Sequence, residues 1–179
     1  MKSEIECPKG TQFSFNIGET KYMVATNNSY IEIRKLTQTF YNDYPHIQYP
    51  EILHDVLRPY SIALFTFVDY YVGVPFRTYM KHNNGFLFSA KPIPHSRPGL
   101  DYTKIVVFDK NEYVGQLANI DNNQQSEFIQ NIATISQEID DYIQVYINHC
   151  KGINVLHPRA FQRKYGYSTL KYFHDILGI

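Results

Sequence analysis

The chain has no tryptophan, only two cysteines and no net charge, because 17 Lys and Arg balance 17 Asp and Glu across 179 residues. That balance excludes a bulk polycation. Cys7 and Cys150 lie far apart, with neither a CxxC pair nor a histidine-rich neighbourhood, so neither a disulfide scaffold nor a zinc site is suggested. No apolar run reaches the length of about 18 residues that spans a bilayer. The first ten residues carry Glu4, Glu6 and Pro8 in place of the basic-then-apolar pattern of a secretory signal. These absences lead us to expect a reduced, cytoplasmic protein with no membrane partner, no metal and no cofactor.

What is present is material for a core. Apolar residues make up 44% and charged residues 19%, whereas a disordered chain is richer in charge and poorer in aromatics. The aromatics are 16 Tyr and 12 Phe, so much of the apolar area carries a hydroxyl that needs a partner or a ligand. The charge is also unevenly placed. Residues 1–74 are slightly acidic, 75–110 hold a surplus of four positive charges, 111–145 hold six carboxylates with no Lys or Arg, and 146–179 return to a surplus of four. Polyanion binding depends on a local field within roughly 8–10 Å, so a neutral total does not exclude RNA. Equally, acidic and basic segments of this kind can simply pair on the surface.

The periodicities describe one α+β domain over residues 1–179, without a linker or a repeat. Residues 1–29 read as an N-terminal hairpin extension, with Gln12–Asn16 and Lys21–Thr26 flanking a turn at Gly18. A core of residues 30–179 follows. Ile33, Leu36 and Phe40 predict a helix from Tyr30 that ends before Pro45, and Pro50 can begin a short second one that Arg58-Pro59 closes. Ser61–Val68 and Tyr71–Phe76 read as paired strands. Phe86–Phe88 and Lys104–Phe108 add further strands, and the proline-rich stretch Lys91–Gly99 is a loop. Phe128, Ile132, Ile135, Ile139, Tyr142 and Tyr146 recur at helical steps and predict one long helix capped by Asp121 or Asn122. Shorter helices are expected at Pro158–Tyr165 and Ser168–Leu177.

The densest group of chemically able residues follows the second of the central strands. Val74-Pro75-Phe76 runs into Arg77, Thr78, Tyr79, Lys81 and His82, and a second group, Gly99-Leu100-Asp101-Tyr102-Thr103-Lys104, precedes the next strand. Strand ends hold side chains in place while leaving them open to a ligand, and both groups can converge on one edge. A guanidinium with two parallel donors, an ammonium, a hydroxyl and an imidazole suit a phosphodiester. The imidazole or a desolvated lysine takes a 2′-hydroxyl proton, and the cations meet the charge that grows on phosphorus-bound oxygen. We take Arg77, Thr78, Lys81 and His82 as candidate catalytic residues, and Tyr79, Lys91, Tyr102 and Lys104 as candidate RNA-binding residues. A histidine after a strand also serves as an ordinary surface residue, and a threonine there can merely satisfy a turn. Tyr44, Tyr49, Tyr60, Tyr70 and Tyr71 are further stacking candidates, although tyrosines in such positions commonly belong to the core.

The order Arg58-Pro59-Tyr60, two apolar strands, Val74-Pro75-Phe76-Arg77-Thr78 with Lys81-His82, and Gly99 to Lys104 before a closing strand resembles the ToxN/AbiQ-like toxins of type III toxin–antitoxin systems, especially the TenpN branch. The ending Tyr167-Ser168-Thr169-Leu170-Lys171-Tyr172-Phe173-His174 is similar to that branch as well. The resemblance covers roughly Ile31 to Ile179. It implies a compact, strongly curved antiparallel sheet like that of MazF, edged by helices, with a long helix near the C-terminus. It also implies a metal-independent endoribonuclease whose partners are cellular mRNA and a small repeated antitoxin RNA, held in a closed protein–RNA assembly and used against phage; DNA is not a partner. Relatives carry a Thr-Ser pair and then a lysine after the strand-end proline. Here Thr78 stands where serine is expected and Lys81 falls one residue late, which leaves the proton-transfer role open between Lys81 and His82.

Two rival readings use the same residues. In one, the basic strand end holds phosphates and tyrosines stack on bases without catalysis. In the other, an exposed tyrosine patch meets another protein.

Overall fold

The structure, a computed structural model, describes residues 21–24, 29–54, 60–66 and 70–179. Within them the chain is α+β: eight strands form an antiparallel sheet that does not close on itself, and five α-helices pack around it. Strands β1 (Lys21–Val24), β2 (Ser29–Leu36), β3 (Ser61–Thr66) and β4 (Tyr71–Arg77) lie side by side in that order. Beyond β4 the neighbour changes partway along. Tyr71 to Gly73 pair with β7 (Val106–Phe108), whereas Phe76 and Arg77 pair with β6 (Gly99–Asp101), whose far side carries β5 (Gly85–Leu87). Pro75, with no N–H for a ladder, stands at that change of partner. Strand β8 (Val114–Leu117) joins β2 through Arg34 and Leu36.

Helix α1 (Gln38–Asp43) stops ahead of Pro45 as proline sterics require. Its predicted start at Tyr30 is corrected, because Ser29–Leu36 is strand. Ile31 and Ile33 alternate into the core, and both edges of the segment find partners in β1, β3 and β8. The hairpin predicted over residues 12–26 is described only at β1, which pairs with β2; Gln12–Asn16 lies outside the described residues. The helix predicted from Pro50 is a turn through Glu51, and Arg58-Pro59 lies outside the described residues.

The long helix is two. Helix α2 (Asn122–Gln130) and α3 (Ile132–Cys150) break at Asn131, whose side-chain amide donates to the Glu127 carbonyl at 2.8 Å. The predicted stripe nevertheless holds, and Phe128, Ile132, Ile135, Ile139, Tyr142 and Tyr146 are all buried. Lys104 to Phe108 is shorter as strand than predicted, since Tyr102–Lys104 forms a 3₁₀ turn before β7. Helix α4 (Pro158–Tyr165) has proline in its first turn as expected. Ser168–Leu177 resolves into a 3₁₀ turn (Thr169–Tyr172) and the short α5 (His174–Leu177), and the Ser168 hydroxyl caps the former through Leu170 N–H.

Buried tyrosines satisfy their hydroxyls within the fold. Tyr142 donates to the Lys164 carbonyl at 3.0 Å, Tyr165 to the Tyr142 carbonyl at 2.7 Å, and Tyr146 meets His174 Nε2 at 2.8 Å. These bonds fasten α3, α4 and α5 to one another beside the β5–β6 hairpin.

Candidate active site at the β4 and β6 strand ends

The two sequence groups do converge, because antiparallel pairing sets Arg77 opposite Gly99 and Phe76 opposite Leu100. Two glycines let the hairpin lie this close. A Cβ on Gly99 would sit 2.5 Å from the Phe86 carbonyl oxygen, and one on Gly85 would sit 2.0 Å from that of Leu100.

His82 lies over the end of β6. Its Nε2 is 3.4 Å from Asp101 Oδ1 and 3.5 Å from Thr103 Oγ1, while Nδ1 accepts the Asn84 backbone N–H at 3.3 Å. An amide donor at Nδ1 assigns the lone pair there and the ring proton to Nε2, facing the carboxylate. The Asp101 side chain is buried, and its Oδ1 also accepts the Thr103 hydroxyl at 2.6 Å and the Thr103 amide at 3.0 Å. The arrangement is a carboxylate that orients an imidazole and leaves the opposite nitrogen as the basic atom.

The loop carrying His82 is clamped from two directions. Arg97 donates through Nη1 to the carbonyls of Met80 and His82, each at 3.0 Å, and through Nη2 to Asn83 Oδ1. Asn84 Nδ2 donates to the Arg163 and Lys164 carbonyls at the end of α4. Carbonyl acceptors of this kind suit a guanidinium fork, which spans several at once.

Lys104 ends the 3₁₀ turn half-buried, donating to the Tyr167 carbonyl at 3.0 Å. Burial holds its ammonium pKa below the ordinary lysine range; Arg77 and Lys171 push the same way, and Asp101 and Glu51 oppose them. Arg77 sits with its guanidinium carbon 5.6 Å from the Tyr60 ring centre. Lys171 is bound to Glu51 at 2.7 Å. Three cations, Arg77, Lys104 and Lys171, therefore share this end of the sheet with two carboxylates, Asp101 and Glu51.

The remaining sequence candidates divide. Thr78, Tyr79 and Lys81 are exposed just beyond β4, with the Thr78 carbonyl and Met80 amide paired to Arg97. Lys91 is exposed in the β5–β6 loop. Tyr102 is corrected as an RNA-binding residue: it is 4% exposed, packs beside Tyr142 and donates its hydroxyl to Glu138 at 2.8 Å. Among the stacking candidates, Tyr44 and Tyr49 pack on each other and on the core, and Tyr71 stacks on Phe108. Sequence reasoning missed Asp101 as the partner of His82, although the Asp-x-Thr spacing is the signature of an Asx turn. It also missed Arg97, Lys171 and Tyr167, for which no local signal exists.

Three carboxylates of the acidic segment 111–145 accept hydrogen bonds from uncharged groups. Asp121 caps α2, Glu127 accepts the amides of Ser89 and Ala90, and Glu138 accepts Tyr102. Among the described residues no ion pair joins it to a basic segment. No helix among the described residues is long and apolar enough to cross a membrane. Comparison with known proteins finds no matching family model, no similar curated protein and no similar solved structure.

Proposed function

We propose that this chain is a metal-independent RNA endonuclease of the ToxN-like kind, cleaving by internal transesterification. The observation that carries the reading is the meeting of His82 with Asp101 at one strand end, beside the half-buried Lys104, whose ammonium lies within electrostatic reach of both Asp101 and Arg77. In the step proposed, His82 Nδ1 gives up its contact with the Asn84 amide and takes the proton of a 2′-hydroxyl. That oxygen bonds to its neighbouring phosphorus, and the bond from phosphorus to the 5′-oxygen breaks. The Lys104 ammonium, more acidic than an ordinary lysine because it is buried, protonates the departing 5′-oxygen. Arg77 faces the non-bridging oxygens, with Thr78 and Lys81 as outer contacts to the backbone. The products are a 2′,3′-cyclic phosphate and a 5′-hydroxyl.

The same reading takes the partners to be cellular RNA and a small repeated antitoxin RNA in a closed assembly in the cytoplasm, on a strongly curved sheet. Support comes from the basic segments, in which Lys110 and Lys171 pair with Asp43 and Glu51 while Arg77 and Lys104 are in no ion pair among the described residues. One observation favours a second reading, a non-catalytic RNA-binding module: both His82 ring nitrogens already have partners inside the fold.

The test is incubation of purified, RNA-free protein with mixed single-stranded RNA in EDTA, followed by analysis of fragment ends. Cyclic-phosphate ends, with rates lowered on the order of 10²–10³ by His82→Ala or Arg77→Ala, are expected. Intact RNA at protein excess, with binding that weakens steeply in salt, overturns the endonuclease and favours the binding module.

A further inference from the structure

Most tyrosines of the C-terminal region turn their rings inward, and Tyr167 does the opposite. The residue is 73% exposed, yet its backbone is fixed. Its carbonyl accepts the Lys104 ammonium at 3.0 Å, and the next two residues, Ser168 and Thr169, are buried at 1% and 0%. The Ser168 amide donates to the Tyr165 carbonyl at 2.9 Å, and Thr169 Oγ1 donates to the carbonyls of Thr103 and Ile105 on either side of Lys104. The 3₁₀ turn that carries the ammonium and the segment that carries the ring are thus one rigid piece.

We propose that Tyr167 and Lys104 form a nucleotide subsite, the ring stacking on a nucleobase and the ammonium holding the phosphate beside it. This rests on the RNA reading above: the phosphate held is the scissile one, whose departing 5′-oxygen Lys104 protonates, and the base stacked belongs to the nucleotide that carries that oxygen. The ammonium is hydrogen-bonded to a neutral carbonyl and is in no ion pair among the described residues, with Asp101 and Glu51 acting on it only electrostatically, so it can meet an anion directly. A flat ring on a pinned backbone loses little freedom when a base covers it, and every base offers a π-face, so the subsite accepts any base.

The absence of tryptophan makes the test direct, since Tyr167→Trp introduces a single indole. The probe is a 2′-O-methyl oligonucleotide, which cannot be cleaved, compared with an abasic strand of equal length. Quenching of the indole by the base-bearing strand alone is expected. Tyr167→Ala should weaken binding of that strand about tenfold and leave the abasic strand unaffected, while Tyr167→Phe keeps wild-type affinity. Equal loss on both strands, or none, overturns the subsite. If wild-type protein cleaves RNA while Tyr167→Ala binds both probes normally, the subsite alone falls; if wild-type protein binds neither probe, the RNA reading falls with it.

Discussion

Asp101 turns Oδ1 toward His82 Nε2 at 3.4 Å, although the two are 19 positions apart in the chain (101 − 82 = 19) and only the pairing of β6 with β4 brings them together. The carboxylate is held in place by Thr103, through hydroxyl and amide, before any substrate arrives. Its orientation is therefore preorganised, and its effect on the imidazole is open to measurement.

Asp101→Asn keeps the shape of that carboxylate and removes its charge. Single-turnover cleavage in EDTA is expected to slow on the order of 10²–10³, and the Asp101→Asn, His82→Ala double variant should be scarcely slower than His82→Ala alone, because the two act as a unit. Multiplicative losses would show that the residues work independently. Circular dichroism checks that the fold survives.

Lys104→Met separates binding from stability. Because burial lowers the folded-state pKa below 10.5, the unfolded chain binds more protons between the two values, and stability rises with pH through that window. Removing the charge therefore removes a cost at neutral pH, and the variant should melt no lower than wild type. Its RNA affinity should fall with the slope of log affinity against log salt reduced by about one. Thermal melts and binding at several salt concentrations read both.

Glu127 holds the loop after β5 through the amides of Ser89 and Ala90. Burial alone would raise its pKa, but the amides of Ser89 and Ala90 and the Ser89 hydroxyl more than offset this and hold it below 4.5. A depressed folded pKa gives stability that is present above the unfolded value and lost as pH falls through the folded one. Glu127→Gln should melt below wild type at pH 7, and the gap should close as the solution is acidified below about pH 4.5. A gap that stayed constant with pH would rule out the carboxylate charge as its source.

Gly99→Ala tests the closeness of the hairpin. The added methyl would lie 2.5 Å from the Phe86 carbonyl oxygen and 3.1 Å from Met80 Cγ, and backbone on one side cannot yield as a flexible side chain does. A loss of about 1–3 kcal/mol is expected in the denaturant midpoint, with an unchanged m value. Wild-type stability would mean that the hairpin is looser than described.

Several elements were legible because their signals are local. Pro45 stops a helix by sterics acting on its immediate neighbour, Ser168 caps Leu170 two residues on, and the α3 stripe repeats within single turns. The segment from Tyr30 shows where such signals fail. Ile33, Leu36 and Phe40 fit a helical step, while Ile31 and Ile33 fit strand alternation, and the choice fell to β1, β3 and β8, which supply hydrogen bonds along both edges. Asn131 breaks α2 from α3 through its own side-chain bond to Glu127, which the uninterrupted apolar stripe concealed.

For the site, the sequence by itself determined that Arg77, Thr78, Lys81 and His82 follow a strand and that the group from Gly99 to Lys104 precedes another, since strand propensity and chain order are read within about ten residues. Only the tertiary structure decided what those residues meet. Antiparallel register carries Asp101 to His82, the 3₁₀ turn sends Tyr102 inward to Glu138 and Lys104 outward to Tyr167, and Arg97 reaches back to hold the loop. Each depends on which face a residue shows after pairing, and a shift of one position would reverse it. That information lies in contacts between distant segments, whose free energy comes from burying both together.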